Sequence, residues 1–342
     1  MDLVYMNDSM EDQGVLTDFE MDLAFGKDEN DFECLIPIEN HCCQAGWYLY
    51  AEGTEYGGII DTLEVRTEAG EMVYFGRTWH GILGSRVVMP LTSSDVSTDA
   101  VTIKKTDAEG SSLVDKYLVI SGDANKCIGF ILERCGLGGL FEALGEASGV
   151  VVNSYQFDRF TTAYDGLVKM LSSVGMKLKL RYTSGKMVVS AVEKYDYATD
   201  EEFDPSLVEI QLKKKVNSVN HLICLGKGEL DQRTVVHLYA DTQGNISTVQ
   251  TQTGMDEYAA VYDYSSVESE EELVKQGAEQ LKMLWGQDEM VVKLDDSSDF
   301  YDVGDKVGAT DEITGMSLTA TIKKKIVNIR NDYTSISYEV GE

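Results

Sequence analysis

The four histidines are natural candidates for acid–base or metal chemistry, but their spacing supports no site. They are His41, His80, His221 and His237. None stands four residues from another, so the zinc-binding helix pattern H-E-x-x-H is absent. A Ser–His–Asp triad stays open because its members meet in space, although no G-x-S-x-G elbow supports one. The sequence predicts no catalytic residue.

Closely spaced carboxylates are the second candidate for chemistry. They include Glu201–Glu202, Asp295–Asp296 and the run Asp299, Asp302 and Asp305. A glycosidase needs two carboxylates on either side of a sugar-binding cleft. Because the chain has 59 acidic residues, close pairs arise by chance. Hydrolase activity is therefore kept as an alternative and is not the favoured interpretation.

Motifs for nucleotides and metals are incomplete. The chain has no G-x-x-x-x-G-K-[ST] loop and no complete G-x-G-x-x-G pattern. Cys42 and Cys43 follow His41, but a second set of ligands at zinc-site spacing is missing. The six cysteines contain no C-x-x-C pair and indicate reduced thiols. We expect no cofactor and no metal.

The charge balance excludes two classes of partner. The net charge is 29 − 59 = −30. Proteins that grip nucleic acids need a basic surface to neutralise phosphates, and binding to anionic membranes needs the same. The sequence also contains no apolar run of the roughly 18 residues that a membrane-spanning helix requires.

The elements that would position any site are mostly strands. Residues 1–95 hold short strand-like runs separated by Asp, Asn and Gly clusters, as in a β-barrel or sandwich. Residues 56–90 predict a β-hairpin with its turn at Glu68–Gly70, a break at Gly76 and Arg77, and a short helix. The apolar residues of this helix, expected to cap the core of the barrel, are Trp79, Ile82 and Leu83.

Residues 96–200 predict a small α+β domain. Asp123 would cap one helix and Gly136 would end it. Thr162 and Asp165 open a second helix with a pattern similar to a capping box. A hairpin with alternating apolar residues follows, which predicts one solvent-exposed sheet face. The charged residues of that face are Lys177, Lys179 and Arg181.

Residues 201–342 return to strands, with one amphipathic helix at 267–286. Two similar lysine-rich segments, at 211–219 and 321–329, stand in strand patterns. Strand lysines discourage unwanted pairing at a sheet edge, and contact with an acidic neighbouring subunit is the alternative. The lysines are Lys213, Lys214, Lys215, Lys323, Lys324 and Lys325.

Three segments resemble, in order, parts of the tail-hub (baseplate hub) family of long-tailed phages, whose members also form the N-terminal part of tail-associated lysins. The first is EMVYFGRTWHGILGSRVV at 71–88, and the second is AYDGLVKMLSSVGMKLKLRYTSGKMVVSAVE at 163–193. The third combines VNSVNHLICLGKGE at 216–229 with FYDVGDKVGATDEITGMSLTATIKKKIVNI at 300–329. In this last stretch, Gly304 and Asp305 belong to the Asp-x-Gly-Asp pattern of the family.

The resemblance implies a β-rich α+β fold with two β-barrel domains like those of tail-tube subunits. The first barrel would be 1–95, the inserted α+β domain 96–200 and the second barrel 201–342. The helix at 267–286 would pack on the second barrel. For Arg77, a solvated position or a contact within its own domain is favoured over an intersubunit salt bridge.

The resemblance also implies a function as a structural protein of the virion. Three copies would form a homotrimeric ring that joins the hexameric tail tube to the tail tip, with a DNA ejection channel through it. Expected partners are the distal tail or tail-tube protein, the tape-measure protein and tail fibre or tip proteins. DNA would pass without specific binding, and the protein would assemble in the host cytoplasm. A cell-wall hydrolase fragment or a β-rich carbohydrate-binding module is the alternative.

Overall fold

The computed structural model describes residues 1–197, 208–213, 219–265, 267, 269–285, 289–294, 301–310, 317–330 and 333–341. The chain forms two compact units. The N-terminal unit consists of Met1–Ile210 and Val291–Val340, and the second unit is formed mainly by Gln211–Met290. Residues 291–340 thus group with the start of the chain, whereas the predicted scheme assigns them to a second barrel at 201–342. The two barrels stay a prediction.

Strands account for most of the regular structure. The strands are β1 Leu3–Met6, β2 Asp12–Leu16, β3 Glu20–Gly26, β4 Asp31–Pro37, β5 Tyr48–Tyr50, β6 Gly57–Arg66, β7 Glu71–Thr78, β8 Val101–Ile103, β9 Val119–Asp123, β10 Phe141–Ala143, β11 Val151–Gln156, β12 Met176–Thr183, β13 Lys186–Glu193, β14 Val208–Lys213, β15 His221–Leu225, β16 Val235–Ala240, β17 Ile246–Ser247, β18 Ala259–Asp263, β19 Glu289–Leu294, β20 Lys306–Thr310, β21 Ser317–Arg330 and β22 Tyr333–Gly341. The α-helices are α1 Trp79–Gly84, α2 Ala124–Arg134, α3 Ala163–Ser172 and α4 Glu270–Leu284. Short 3₁₀ helices lie at Ile38–Asn40, Leu230–Gln232 and Gly254–Asp256.

One large sheet joins the two ends of the N-terminal unit. Part of its order runs β22, β21, β3, β4, β7, β6, β5, β1, β2, with β20 paired to β21. Strand β21 runs antiparallel to β3, from Lys324 opposite Gly26 to Arg330 opposite Glu20. A strand near residue 325 therefore completes the sheet that the first 80 residues begin. Within the described residues, no strand pairing closes this sheet into a barrel.

The hairpin β6–β7 and helix α1 have the predicted form. Gly70 has a φ of +70° at the turn, and β7 continues antiparallel to β6 as far as Thr78. The Thr78 hydroxyl caps α1 by accepting a hydrogen bond from a backbone N–H of its first turn. Gly76 lies inside β7, so the break falls at Thr78 instead. Gly76 allows close strand approach, because a Cβ there would lie 1.9 Å from the carbonyl oxygen of Ile59.

Helix α1 connects the first sheet to the α+β segment. The apolar side chains of Trp79, Ile82 and Leu83 are buried in a hydrophobic cluster made largely of residues between 101 and 191. The Trp79 ring stacks on Tyr48 with centroids 6.1 Å apart and on Tyr182 with centroids 5.6 Å apart. The helix therefore does more than cap the core of a first barrel, because most of its neighbours come from the segment that follows.

The segment 96–200 contains the predicted helices with the predicted caps. The Asp123 carboxylate accepts two backbone N–H groups at the start of α2, and Gly136 follows its end with a φ of +71°. The Thr162 hydroxyl accepts the Asp165 N–H at 3.0 Å and donates to the Asp165 carboxylate at 2.8 Å. These helix boundaries are confirmed. Two small sheets, in the orders β10, β13, β12 and β11, β9, β8, complete the segment.

In its described residues, the second unit has a four-stranded sheet and one α-helix. The strand order is β17, β16, β15, β18. Helix α4 packs Leu273, Gly277 and Leu281 against the face that carries Leu222 and Cys224. A Cβ at Gly277 would lie 2.4 Å from the Cys224 sulfur, so this position allows the helix to approach the sheet. None of the helices in the described ranges is both long and apolar enough to cross a bilayer.

Candidate functional site: a buried ionic junction in the N-terminal unit

Lys325, at the centre of β21, is the first member of a buried group of charges. Its side chain is 1% exposed, and its ammonium lies 2.8 Å from Oε1 of Glu55 and 5.5 Å from the centroid of the Tyr56 ring. The other carboxylate oxygen of Glu55 lies 3.4 Å from Nε2 of His80. A buried strand position normally excludes a charged side chain, since an unpaired buried ion costs several kcal/mol of folding free energy. The pairing explains why Lys325 can lie inside.

Burial and charge act in opposite directions on Glu55. Burial raises the pKa of its carboxyl group, but nearby positive charge, chiefly that of Lys325, lowers it further than burial raises it, so the net pKa is lowered. For His80, burial is the larger effect and lowers the pKa of the imidazole despite the nearby carboxylate. We therefore describe Glu55 as ionised and His80 as a neutral ring against it.

A second group of charges lies around Lys177 on β12. Its ammonium is 2.6 Å from Oδ2 of Asp305 and 3.0 Å from Oδ2 of Asp302. Lys179 approaches Asp302 at 3.5 Å. Asp305 is fully buried and accepts backbone N–H groups from Asp302 and Tyr195. Burial raises the pKa of Asp302, but Lys177 and Lys179 reverse the effect and leave it lowered.

The turn that carries these aspartates depends on glycine. Gly304 has a φ of +100°, and the Asp305 N–H donates to the Asp302 carbonyl at 3.1 Å. A Cβ at Gly304 would also lie 3.3 Å from the Cβ of Lys177. The Asp-x-Gly-Asp pattern therefore folds into a tight turn that presents two carboxylates to one lysine.

The three segments that carry the family resemblance within the N-terminal unit meet in these two groups. His80 belongs to the first segment, Lys177 to the second, and Asp302, Asp305 and Lys325 to the third. We name the set Glu55, His80, Lys177, Asp302, Asp305 and Lys325 the ionic junction. Segments up to 270 residues apart in sequence are held there by paired charges.

The chemistry of the ionic junction is that of a structural connection. Its lysines contact carboxylates directly, and its two perturbed carboxyl groups have lowered pKa values. A glycosidase acid needs a raised pKa so that it still holds a proton near neutral pH. The geometry therefore favours permanent ion pairs over proton transfer.

The histidines of the second unit form a separate cluster. Glu257 Oε1 lies 2.6 Å from Nδ1 of His221, and Nε2 of His221 lies 2.8 Å from Nδ1 of His237. Tyr239 stacks on His221 with centroids 4.4 Å apart. His41 lies elsewhere, 3.0 Å from the Tyr74 hydroxyl. Among the described residues, no three His, Cys, Asp or Glu side chains are placed to bind a metal ion.

Comparison with known proteins gives structural likenesses only. No protein-family model and no curated protein matches the chain. It is similar to the tail protein from Neisseria meningitidis MC58, with 13% identity, coverage of 100% of this chain and 96% of that chain, and a TM-score of 0.48. It is also similar to prophage tail protein gp18 from Listeria monocytogenes EGD-e, with 10% identity, 99% and 94% coverage, and a TM-score of 0.45. A third similar structure is the 43 kDa tail protein of prophage MuSo2 from Shewanella oneidensis, with 10% identity, 99% and 98% coverage, and a TM-score of 0.49.

The remaining site residues named from the sequence lie mostly in contacts within the chain. Arg77 forms a bidentate pair with Asp61, at 2.7 and 2.8 Å, which agrees with the favoured contact inside its own domain. Lys324 pairs with Glu29 and with Glu339 at 3.7 Å. Lys325 is buried in the ionic junction and is not on the surface.

The other lysines of the two similar segments give little further evidence about a subunit contact. Lys323 is partly buried and has contacts of its own. Lys213 ends β14, but its side chain is not described, and Lys214 and Lys215 lie outside the described residues. The subunit contact proposed for these lysines stays a prediction.

The sequence pattern missed half of the ionic junction. Alternation along β12 predicted Lys177 on a solvent-exposed face, whereas it is 8% exposed because the turn at Asp302–Asp305 covers it. Glu55 carried no signal of its own, and His80 was considered only as one of four histidines whose spacing supports no site. Asp305 was predicted as a structural site residue from the Asp-x-Gly-Asp pattern. That pattern was the one indication in the sequence that a buried cation would lie nearby.

Proposed function

We propose that this chain is a non-enzymatic structural protein of a phage tail, the hub at the distal end of the tail tube. Three copies would form a ring that adapts the hexameric tube to the three-fold tip. The proposal rests on the ordered resemblance of three sequence segments to the tail-hub family. Its closest support in the structure is the ionic junction, where parts of all three segments meet.

A buried junction of this kind suits a rigid structural component. It fixes the start of the chain, the α+β segment and the strands after residue 300 in one compact unit, as a component of a rigid ring requires. Paired buried charges add little net stability compared with apolar residues, but they specify one arrangement. We infer that the ionic junction serves to fix the relative positions of these segments.

The acidic charge fits the proposed channel. A trimer would carry 3 × −30 = −90 charges by composition. DNA that must slide through a channel would be retained by exposed lysine and arginine, and an acidic wall avoids this. The partners expected for such a ring are the tail-tube, tape-measure and tip proteins. The proposed location is the virion tail tip.

Light scattering coupled to size exclusion, together with a cell-wall assay, tests this function. We expect a species of three chains at high protein concentration, and no release of fragments from purified bacterial cell walls. Lysozyme serves as the positive control for the wall assay. Hydrolysis of cell walls by the isolated chain would overturn the proposal in favour of a lysin fragment. A monomer that binds polysaccharide would favour the carbohydrate-binding module.

A further inference from the structure

A cavity of about 410 Å³ lies beside the ionic junction in the N-terminal unit. Its walls come from α3, β12, β21 and the turn at Asp302–Gly304. Small-molecule sites typically have volumes of roughly 300–1,000 Å³ and mostly apolar walls with a few placed polar groups. The apolar lining residues are Val168, Leu178, Val303 and Ile322. The cavity therefore has the size of a ligand site, and its walls combine apolar and charged side chains.

Basic residues outnumber acidic residues in the lining of this cavity, which is the opposite of the balance in the whole chain. The whole sequence has twice as many acidic as basic residues, 59 against 29. Around the cavity, five lysines face three carboxylates. The lysines are Lys27, Lys169, Lys177, Lys194 and Lys323, and the carboxylates are those of Glu55, Asp165 and Asp302. A local excess of cations in so acidic a protein indicates an anionic occupant.

Two of these lysines have no carboxylate partner among the residues that the structure describes. Lys177 is held by the ionic junction, and Lys169 pairs with Asp158 at 2.6 Å. By contrast, neither Lys27 nor Lys194 has a carboxylate oxygen within 4.0 Å in the part of the chain that the structure describes. Lys27 is exposed at the cavity, whereas Lys194 is partly buried beside it.

Lys194 is the better placed of the two for a charged ligand. Its ammonium donates to the hydroxyl of Ser172 at 3.1 Å, a neutral partner. Burial lowers the pKa of Lys194, and the neighbouring Lys306 lowers it further, while Asp305 acts in the opposite direction. A bound anion would supply the direct ion-pair partner that this ammonium does not have among the described residues.

We propose that this cavity binds a small amphipathic anion, with an apolar body against the walls and one carboxylate or phosphate group against Lys194 and Lys27. The apolar walls exclude a bare inorganic anion as the natural occupant, because such a ligand would leave them facing water. The lysines exclude a neutral apolar ligand, because it would bury the Lys194 ammonium without a counter-charge. This site goes beyond the tail-hub function, which requires no ligand, and it can be tested independently of oligomeric state.

Calorimetric titration of the full chain tests the site with four probes. They are octanoate, octyl phosphate, inorganic phosphate and 1-octanol. We expect octanoate or octyl phosphate to bind once per chain, and the tighter of the two identifies the head group. Inorganic phosphate and 1-octanol should bind at least about tenfold more weakly, because inorganic phosphate lacks the apolar chain and 1-octanol lacks the anionic group. Absence of binding by both octyl anions, or equal binding of 1-octanol, would overturn the proposal.

Variants locate the binding to this cavity. Lys194→Met should weaken octyl-anion binding about tenfold, the loss of one charge-assisted contact, and Lys194→Arg should retain most of it. Val168→Phe should block the cavity from its apolar side. Lys104→Met, which removes an exposed lysine outside the cavity, is the matched control. Each variant is compared by circular dichroism with the unsubstituted chain. Unchanged binding in folded Lys194→Met and Val168→Phe would place the site elsewhere.

Discussion

At the scale of single residues, the N-terminal unit is organised by charges that lie where apolar side chains would be expected. Lys325 and Asp305 are almost completely buried, and each has an opposite charge within 3 Å. Replacing such a pair with apolar residues is often neutral, whereas removing one partner is costly. The two outcomes differ clearly in size, so substitutions at the ionic junction are informative.

Glu55→Gln should destabilise the N-terminal unit by about 3–5 kcal/mol, because it removes the carboxylate that pairs directly with the buried Lys325 ammonium. The double variant Glu55→Gln with Lys325→Met should lose less than Glu55→Gln alone. Urea unfolding measures both. Glu64→Gln is the control, since its pair with Arg66 is exposed to solvent and contributes little to stability. Additive losses in the double variant would show that Lys325 and Glu55 do not act as a pair.

The ionic junction should also set the acid limit of stability. The folded-state pKa values of Asp302 and Glu55 are lowered. Their contribution is therefore complete above the unfolded values of about 3.9 and 4.3 and is lost as the pH falls through the lower folded values. Thermal midpoints between pH 6 and pH 3 should fall less steeply for Asp302→Asn than for the unsubstituted chain. Identical slopes would contradict the role of Asp302.

At the scale of elements, the sequence correctly predicted the features that have a local cause. The caps of α2 and α3, the glycine after α2 and the hairpin β6–β7 depend on residues close in sequence, and all were predicted. The burial of Lys177 was not predictable, because it depends on a turn more than 120 residues away. Alternation along a strand cannot show which segment will cover an exposed face. The neighbours of α1 were missed for the same reason.

Thr162→Ala should cost about 1 kcal/mol of unfolding free energy, the usual value for loss of an N-cap hydroxyl. Its hydroxyl serves both the backbone and the side chain of Asp165. Thr162→Ser should restore most of the loss, because it keeps the hydroxyl. Thr183→Ala, at the exposed end of β12, is the control. Equal stability of the Ala and Ser variants, measured by urea unfolding, would rule out the cap as a stabilising contact.

At the scale of the molecule, the pairing of β21 with β3 is the feature that sequence could least supply. It joins residues about 300 positions apart, and no local pattern states which distant strand a given strand will pair with. The predicted division into barrels at 1–95 and 201–342 follows chain order. The large sheet instead combines strands from both ranges.

The net charge leads to a prediction about DNA. A channel wall that lets DNA slide should not bind it, and a charge of −30 offers no excess of cations to displace counter-ions. We expect no mobility shift of double-stranded DNA at micromolar protein and low salt, with a basic DNA-binding protein as the positive control. A salt-sensitive shift would indicate a concealed basic surface and would contradict the proposed channel.

Electron cryo-microscopy of the purified, concentrated chain tests the hub proposal most directly, because it reports both copy number and symmetry. We predict a closed ring of three copies around a central channel whose wall is predominantly acidic. A closed assembly with another symmetry, or a three-fold ring whose channel is lined by lysine and arginine, would contradict the proposal.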